Sequence, residues 1–283
     1  MWSYFCFLWV FLIIGSPFLP AQVQFKLVKP ETIKSRLNSF EGSDSTREAT
    51  LRKSFSETGC SADNMSEQVV ARRKEPNVIC VLPGETDQVI LISAHFDHIS
   101  EGKGVVDNWS GASLLPSLFE SLSNTKRKHT FVFVGFTAEE DGLVGSGYYV
   151  KKLSPLDLTR IRLVVNLDTL GLGPTKVWAS HSDPEALGLL LATAHATQLP
   201  LGTMNVDGFG ESDEESFAKK KIKTVTIHSL TPDTAGVLHS SRDNLAAIKF
   251  DDFYDTYHLL AAYLAILDTR FQAVPTTNVT ATH

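Results

Sequence analysis

The stretch VILISAHFDHISEGKGVVDNWSGASLLPSLFESL, Val89 to Leu122, changes character twice. Val89 to Ser93 is an unbroken apolar run, too continuous for a half-exposed strand, and reads as a strand covered on both faces. Leu114, Leu115, Leu118, Phe119 and Leu122 then recur at helical period. A doubly covered strand followed by a helix is the unit of an α/β fold. Between the two lie His95, Asp97 and Asp107, polar groups placed where the chain leaves the sheet.

The same rhythm continues outward. Asn77 to Leu82, Thr130 to Phe136, Ile161 to Leu167 and Thr224 to His228 read as further buried strands. Phe250, Phe253, Tyr254, Tyr257, Leu260, Ala261, Leu264 and Leu267 mark a late helix. The expected fold is α/β, a single-domain α/β/α sandwich around a mostly parallel mixed sheet. A chain of 283 residues with 43% hydrophobic content can bury such a core. A net charge of -6 gives no electrostatic footing for a polyanion, which excludes nucleic acid as a partner.

The first residues, MWSYFCFLWVFLIIGSPFLPAQ, carry an apolar run from Phe5 to Ile14, then Gly15, Pro17, Pro20 and Ala21. Residues 1–21 are expected to be a signal peptide, giving a secreted or periplasmic protein. The run is shorter than the roughly 20 residues that cross a bilayer, so no stable membrane span is expected, and an uncleaved anchor is the alternative. Cys6 would leave with that leader. Cys60 and Cys80 then either form one disulfide or stay as buried thiols. Residues 22–66 read as a polar helical segment packed on the core, with one or two surface helices ending at Gly59. Residues 67–270 form the main domain, and 271–283 a disordered tail. Asn64 and Asn278 open glycosylation sequons; Asn108 opens a third inside the segment where chemistry is expected. No motif specifies an oligomeric state.

In α/β sheets, ligands bind beyond the carboxyl ends of the strands. There the chain places His95 and Asp97 after one strand and Asp107 on the loop that follows. Glu139 and Glu140 follow a second strand, Asp168 a third, and a later loop, VLHSSRDN, brings His239. Singly, each has an ordinary explanation: Asp107 could cap a helix and Asp168 could open a turn. Together they would repel one another strongly at low dielectric without a counter-charge. No strand-end Arg or Lys supplies one, so a divalent metal is expected. Mixed imidazole and carboxylate donors favour zinc over magnesium or calcium. Two histidines and three acids complete two three-ligand zinc sites only if one carboxylate is shared.

The ordered series HFD (His95–Asp97), DNWSG (Asp107–Gly111), FTAEEDGLVGS (Phe136–Ser146), NLDTLG (Asn166–Gly171) and HSSRDN (His239–Asn244) resembles the co-catalytic di-zinc exopeptidases of the aminopeptidase Y and bacterial leucyl aminopeptidase type. The resemblance spans roughly residues 67 to 267. It implies that two zinc ions per chain are held by His95 and Asp168 on one side and Glu140 and His239 on the other, with Asp107 bridging. It also implies that Glu139 is the general base, acting on a water that bridges the metals, and that the substrates are peptides with a free N-terminus. A cis peptide between Asp107 and Asn108 is implied as well. Asp97, two residues after His95 along an extended chain, is placed to accept the second imidazole N–H. Asp243 could do the same for His239, or cap the next helix.

Two positions depart from the family pattern. Glu214 stands where many relatives have His, in a loop expected near the substrate. Trp109 is bulkier than usual, and either narrows the approach or packs beneath it. Three other functions are compatible with the fold: a single-zinc glutaminyl cyclase, a carboxypeptidase or amide hydrolase of the same clan, and a catalytically dead receptor. Intact ligands speak against the cyclase and the receptor, and the short interval from Asp168 to His239 speaks against an inserted lid.

Overall fold

The computed structural model describes residues 9–12, 23–208 and 210–271. Most of the expected leader therefore lies outside the described residues, as do Asn278 and the tail from 272 onward. Of the leader, Trp9–Leu12 (β1) is described, paired antiparallel with Val23–Lys26 (β2).

Two helices follow, α1 (Pro30–Leu37) and α2 (Asp44–Glu57). Pro30 suits the first turn of α1, and Gly59, just past α2, takes the positive φ that ends helices cheaply. These are not simply surface helices. Ile33 and Leu37 of α1, and Arg47, Leu51 and Phe55 of α2, are buried.

The remaining elements run β3 (Met65–Gln68), β4 (Asn77–Leu82), β5 (Val89–His95), α3 (Ser110–Ser123), β6 (Thr130–Phe136), α4 (Val144–Lys152), α5 (Pro155–Arg160) and β7 (Ile161–Leu167). They continue through β8 (Lys176–Val177), α6 (Pro184–Thr197), β9 (Gly202–Thr203), α7 (Glu214–Ala218), β10 (Thr224–His228) and α8 (Phe250–Arg270). Eight strands form one sheet in the order β3-β4-β6-β5-β7-β10-β8-β9. Its centre, β6-β5-β7-β10, is parallel. β3 and β4 join one side antiparallel, and β8 joins β10 antiparallel on the other.

Side chains alternate across the central strands, which is why these read as continuous apolar runs. Ile90, Ile92, Phe131, Phe133, Leu163 and Val165 face the larger core with α1, α2, α3, α6 and α8. Leu91, Val132, Val134, Phe136 and Val164 face the smaller one, closed by Tyr149 and Val150 of α4 and Phe217 of α7. Helices on both faces of a mixed sheet make the expected three-layer sandwich. Cys60 and Cys80 are joined by a disulfide that ties the end of the N-terminal segment to β4. Phe271, assigned from sequence to the tail, is buried and continues the packing of α8. Among the described residues no helix is long and apolar enough to cross a membrane.

Candidate metal centre

β5 runs two residues beyond the predicted strand and ends on His95, while Asp168 directly follows β7. These strands are parallel neighbours, with Ser93 opposite Asn166, so both side chains reach the same edge of the sheet. Asp107 sits in a turn, Val105–Trp109, that feeds α3, and its peptide bond to Asn108 is cis. Asn108 is fully buried and ties this turn to β7: its amide donates to the Leu167 carbonyl at 2.8 Å, and its Oδ1 accepts the N–H of Gly111 at 3.0 Å. Its sequon is therefore sealed inside the site. Glu139 and Glu140 follow β6, and His239 enters on the late loop in the left-handed conformation, φ +52°.

The five expected ligands and the expected base converge. His95 Nε2 lies 3.2 Å from Asp107 Oδ1 and 3.8 Å from Asp168 Oδ1. His239 Nε2 lies 3.3 Å from Asp107 Oδ2 and 3.0 Å from Glu140 Oε2. Asp107 thus turns one oxygen to each imidazole. Glu139 Oε2 stands 3.8 Å from His95 Nε2. Among the described residues three groups bring one ligand atom per residue within 4.8 Å of one another: His95–Asp107–Asp168 and Asp107–Glu140–His239, which share Asp107, and His95–Glu139–Glu140. Zinc bonds of about 2.0–2.2 Å in a tetrahedron hold ligand atoms roughly 3.3–3.6 Å apart, so this spacing and this donor set fit the metal. Glu140 Oε1 is also buried without a partner, as a ligand atom awaiting a cation would be.

Supporting contacts fix the ligands. The Asp97 carboxylate accepts the N–H groups of Glu139 and Glu140 at 3.1 and 3.2 Å, and its Oδ1 approaches His95 Nδ1 at 3.5 Å. Ser212 and Thr169 donate their hydroxyls to Asp168. Asp243 departs from both expectations. Its carboxylate accepts the N–H groups of Val106 and Asp107 at 2.7 and 3.2 Å, so it holds the bridging residue's turn, while Asn244 caps the following short helix.

Titration in the site reflects crowding. Burial pushes Glu139 up to about 10, against the pull of His95 and helped by Asp213, Asp168 and Asp107. Burial and then Asp107 push Glu140 up to about 7. His239 rises to about 9, chiefly through its hydrogen bond to Asp107. His95 is raised well above its ordinary value: burial opposes its charge, but Glu139, Asp107 and Asp97 outweigh burial. Asp107 moves the other way, since its two histidine partners overcome its burial. A group of acids holding protons in this way is poised to exchange them for a metal.

Other residues were not foreseen from sequence. The cleft beside the ligands, about 380 Å³, is lined by Trp178, Val206, Leu230, Leu238 and His228 among others. His228 ends β10. It joins no metal group: Nε2 reaches the Met204 carbonyl at 3.0 Å, and burial holds its pKa down to about 4, so it is neutral. A nearby positive charge also exists, although not at a strand end. Arg47 of α2 is buried behind the segment that joins His95 to Asp107, and burial lowers it only to about 10, leaving it charged at neutral pH. Glu214 is 1% exposed and does not line the cleft; it lies behind Asn166, 3.4 Å from its amide. Trp109 packs beneath the site, its indole N–H donating to the Arg36 carbonyl at 3.2 Å.

Comparison with known proteins gives this arrangement relatives. A leucine aminopeptidase 2 of Trichophyton rubrum is 36% identical over 88 residues, 31% of this chain and 18% of that protein. Aminopeptidase YwaD of Bacillus subtilis is 24% identical over 224 residues, 76% of this chain and 47% of that protein. The chain thus spans less than half the length of these curated relatives. Among solved structures, the LapA aminopeptidase of Legionella pneumophila superposes with a TM-score of 0.72 at 20% identity, covering 85% of this chain and 72% of that one. An Acidobacteriales bacterium glutaminyl cyclase superposes at 0.69 with 18% identity, covering 85% and 94%. At such identities these two superpositions speak to the fold alone. Residues 77–264 match the model of peptidase family M28, and the chain belongs to that family.

Proposed function

We propose that this protein is a di-zinc aminopeptidase that hydrolyses the first peptide bond of peptides with a free N-terminus. The observation that carries this reading is the double-facing Asp107 carboxylate, 3.2 Å from His95 on one side and 3.3 Å from His239 on the other. His95, Asp168 and Asp107 would hold one zinc, and Glu140, His239 and Asp107 the second. Bound there, the zinc pair would supply Lewis acidity to the scissile carbonyl and acidify the attacking water.

The chain's own groups do the rest. Glu139 takes the proton of the attacking water and returns it to the leaving amine. Asp97, through the N–H groups of Glu139 and Glu140, keeps these adjacent acids on separate tasks. The cleft walls of Trp178, Val206, Leu230 and Leu238 offer an apolar surface to the first side chain. A leader at 1–21 and export to an oxidising compartment complete the proposal, supported by the Cys60–Cys80 disulfide.

The cyclase-like structure motivates a second reading, in which N-terminal glutamine is cyclised on a single zinc. Two complete ligand groups favour the first. The test is a panel of aminoacyl anilides, an N-blocked peptide and a glutaminyl peptide, assayed before chelation, after it and after zinc return. Zinc-dependent release of free amino acids from unblocked substrates alone supports the aminopeptidase. Ammonia release from the glutaminyl peptide, hydrolysis of the blocked peptide, or activity that survives chelation would each overturn it.

A further inference from the structure

We infer that Arg47, on helix α2 and outside the region matched by the family, is a positioning residue for the metal centre: it pins together the two ends of the segment that runs from His95, at the end of β5, to the turn that carries Asp107. Arg47 is 1% exposed. Its Nη1 donates to the carbonyl of Phe96, next to His95, at 3.2 Å, and to that of Gly104, three residues before Asp107, at 3.1 Å. Its Nη2 donates to the Lys103 carbonyl, and its Nε to Phe40 at 3.1 Å. One planar guanidinium therefore joins the two ends of that segment, Phe96 beside His95 and Lys103–Gly104 before Asp107, using the fork geometry that Lys lacks.

The placement is built from both sides. The guanidinium carbon lies 5.7 Å from the centroid of the Trp109 ring, two residues after Asp107, and Trp109 in turn donates to Arg36 at the end of α1. Asp44 of the same helix pairs with His98 at 2.7 Å, just beyond Asp97. Gly104 leaves no room for a side chain: a Cβ there would stand 2.9 Å from the Asp107 carbonyl and 3.1 Å from Arg47 Nη1. The unusual bulk of Trp109 thus has a matching surface in the N-terminal segment. By satisfying carbonyls at both ends of the segment, Arg47 sets the approach of His95 to Asp107 that the bridge requires, without touching substrate or metal.

This inference rests on His95 and Asp107 being metal ligands, and the experiment separates the two. R47K, R47M, H95A and, as a control in the same helix, L51A are compared for zinc affinity by chelator competition, for kcat and KM, and for thermal melting. Supporting the inference, R47K and R47M fold and bind zinc on the order of 10-fold to 100-fold more weakly, as loss of a supporting contact does. They lose kcat with little change in KM and partly recover it at high zinc, whereas L51A melts earlier but its folded form binds zinc normally. Wild-type zinc affinity and kcat in folded R47K and R47M would overturn it. If R47M does not fold, R47K carries the test, because it keeps the charge and loses the fork; failure of both to fold would assign Arg47 to architecture and also overturn it. Unchanged zinc binding in H95A would instead defeat the ligand reading itself.

Discussion

The backbone N–H of Glu139 donates to Asp97 Oδ1 at 3.1 Å, so the proposed base hangs from the carboxylate that stands behind His95. One side chain thereby sets the position of a proton acceptor while standing 3.5 Å from the imidazole of a proposed metal ligand. D97N keeps the shape but weakens both links. It is expected to lower zinc affinity about 10-fold to 100-fold, read by chelator competition, and to lower kcat even at saturating zinc. A kcat fully restored by zinc would confine Asp97 to the metal side.

E139Q removes the proton acceptor while leaving every proposed ligand. It is expected to retain wild-type zinc content and to lose roughly 100-fold to 10,000-fold in kcat. Metal analysis beside steady-state rates checks this. An active, zinc-replete variant would remove Glu139 from the proton-transfer role.

Zinc binding must displace protons from the ligands. His239 is raised to about 9 and Glu140 to about 7. In this setting both carry a proton below pH 7, and His239 still does between 7 and 9, so apparent zinc affinity should climb with pH from 6 to 9. Calorimetry in buffers of different ionisation enthalpy counts the protons released. Affinity that is flat from pH 6 to 9 would contradict the cluster's coupling.

Glu214 makes a separate prediction about stability. Burial raises its pKa from 4.5 to about 8. Between those values the folded state keeps a proton that the unfolded state has lost, so stability falls as pH rises through this window. E214Q, neutral throughout, escapes that loss. Each pKa unit is worth about 1.4 kcal/mol, so with zinc saturating the melting temperature of E214Q relative to wild type should rise by several degrees from pH 5 to pH 9. A difference that does not change with pH would show Glu214 to be unstrained by its burial.

Much of the site was legible because its residues lie at the ends of strongly apolar strands. His95 ends β5, Asp168 directly follows β7, and Glu139 and Glu140 lie within four residues of the end of β6, and their convergence follows from parallel register. What stayed hidden acts across distance. Arg47 reaches the loops from a helix with no sequence mark beyond a charged residue among polar ones, and Asp243 bonds backbone more than a hundred residues away. The short strands β8 and β9 have two residues each, too few to show alternation, and β3, MSEQ, is polar because it sits at the sheet's margin. His228 carries no mark in the sequence beyond ending a strand, and a lone imidazole is ordinarily a satisfied polar group, which its bond to Met204 makes it.

The account turns on Asp107 being shared. A crystal structure of the zinc-loaded protein, with anomalous differences collected at the zinc edge, tests this most directly. Two peaks roughly 3.5–4 Å apart, one on each side of the Asp107 carboxylate, are predicted, one in contact with His95 and Asp168 and the other with Glu140 and His239. A single peak, or a second one away from Asp107, would contradict it.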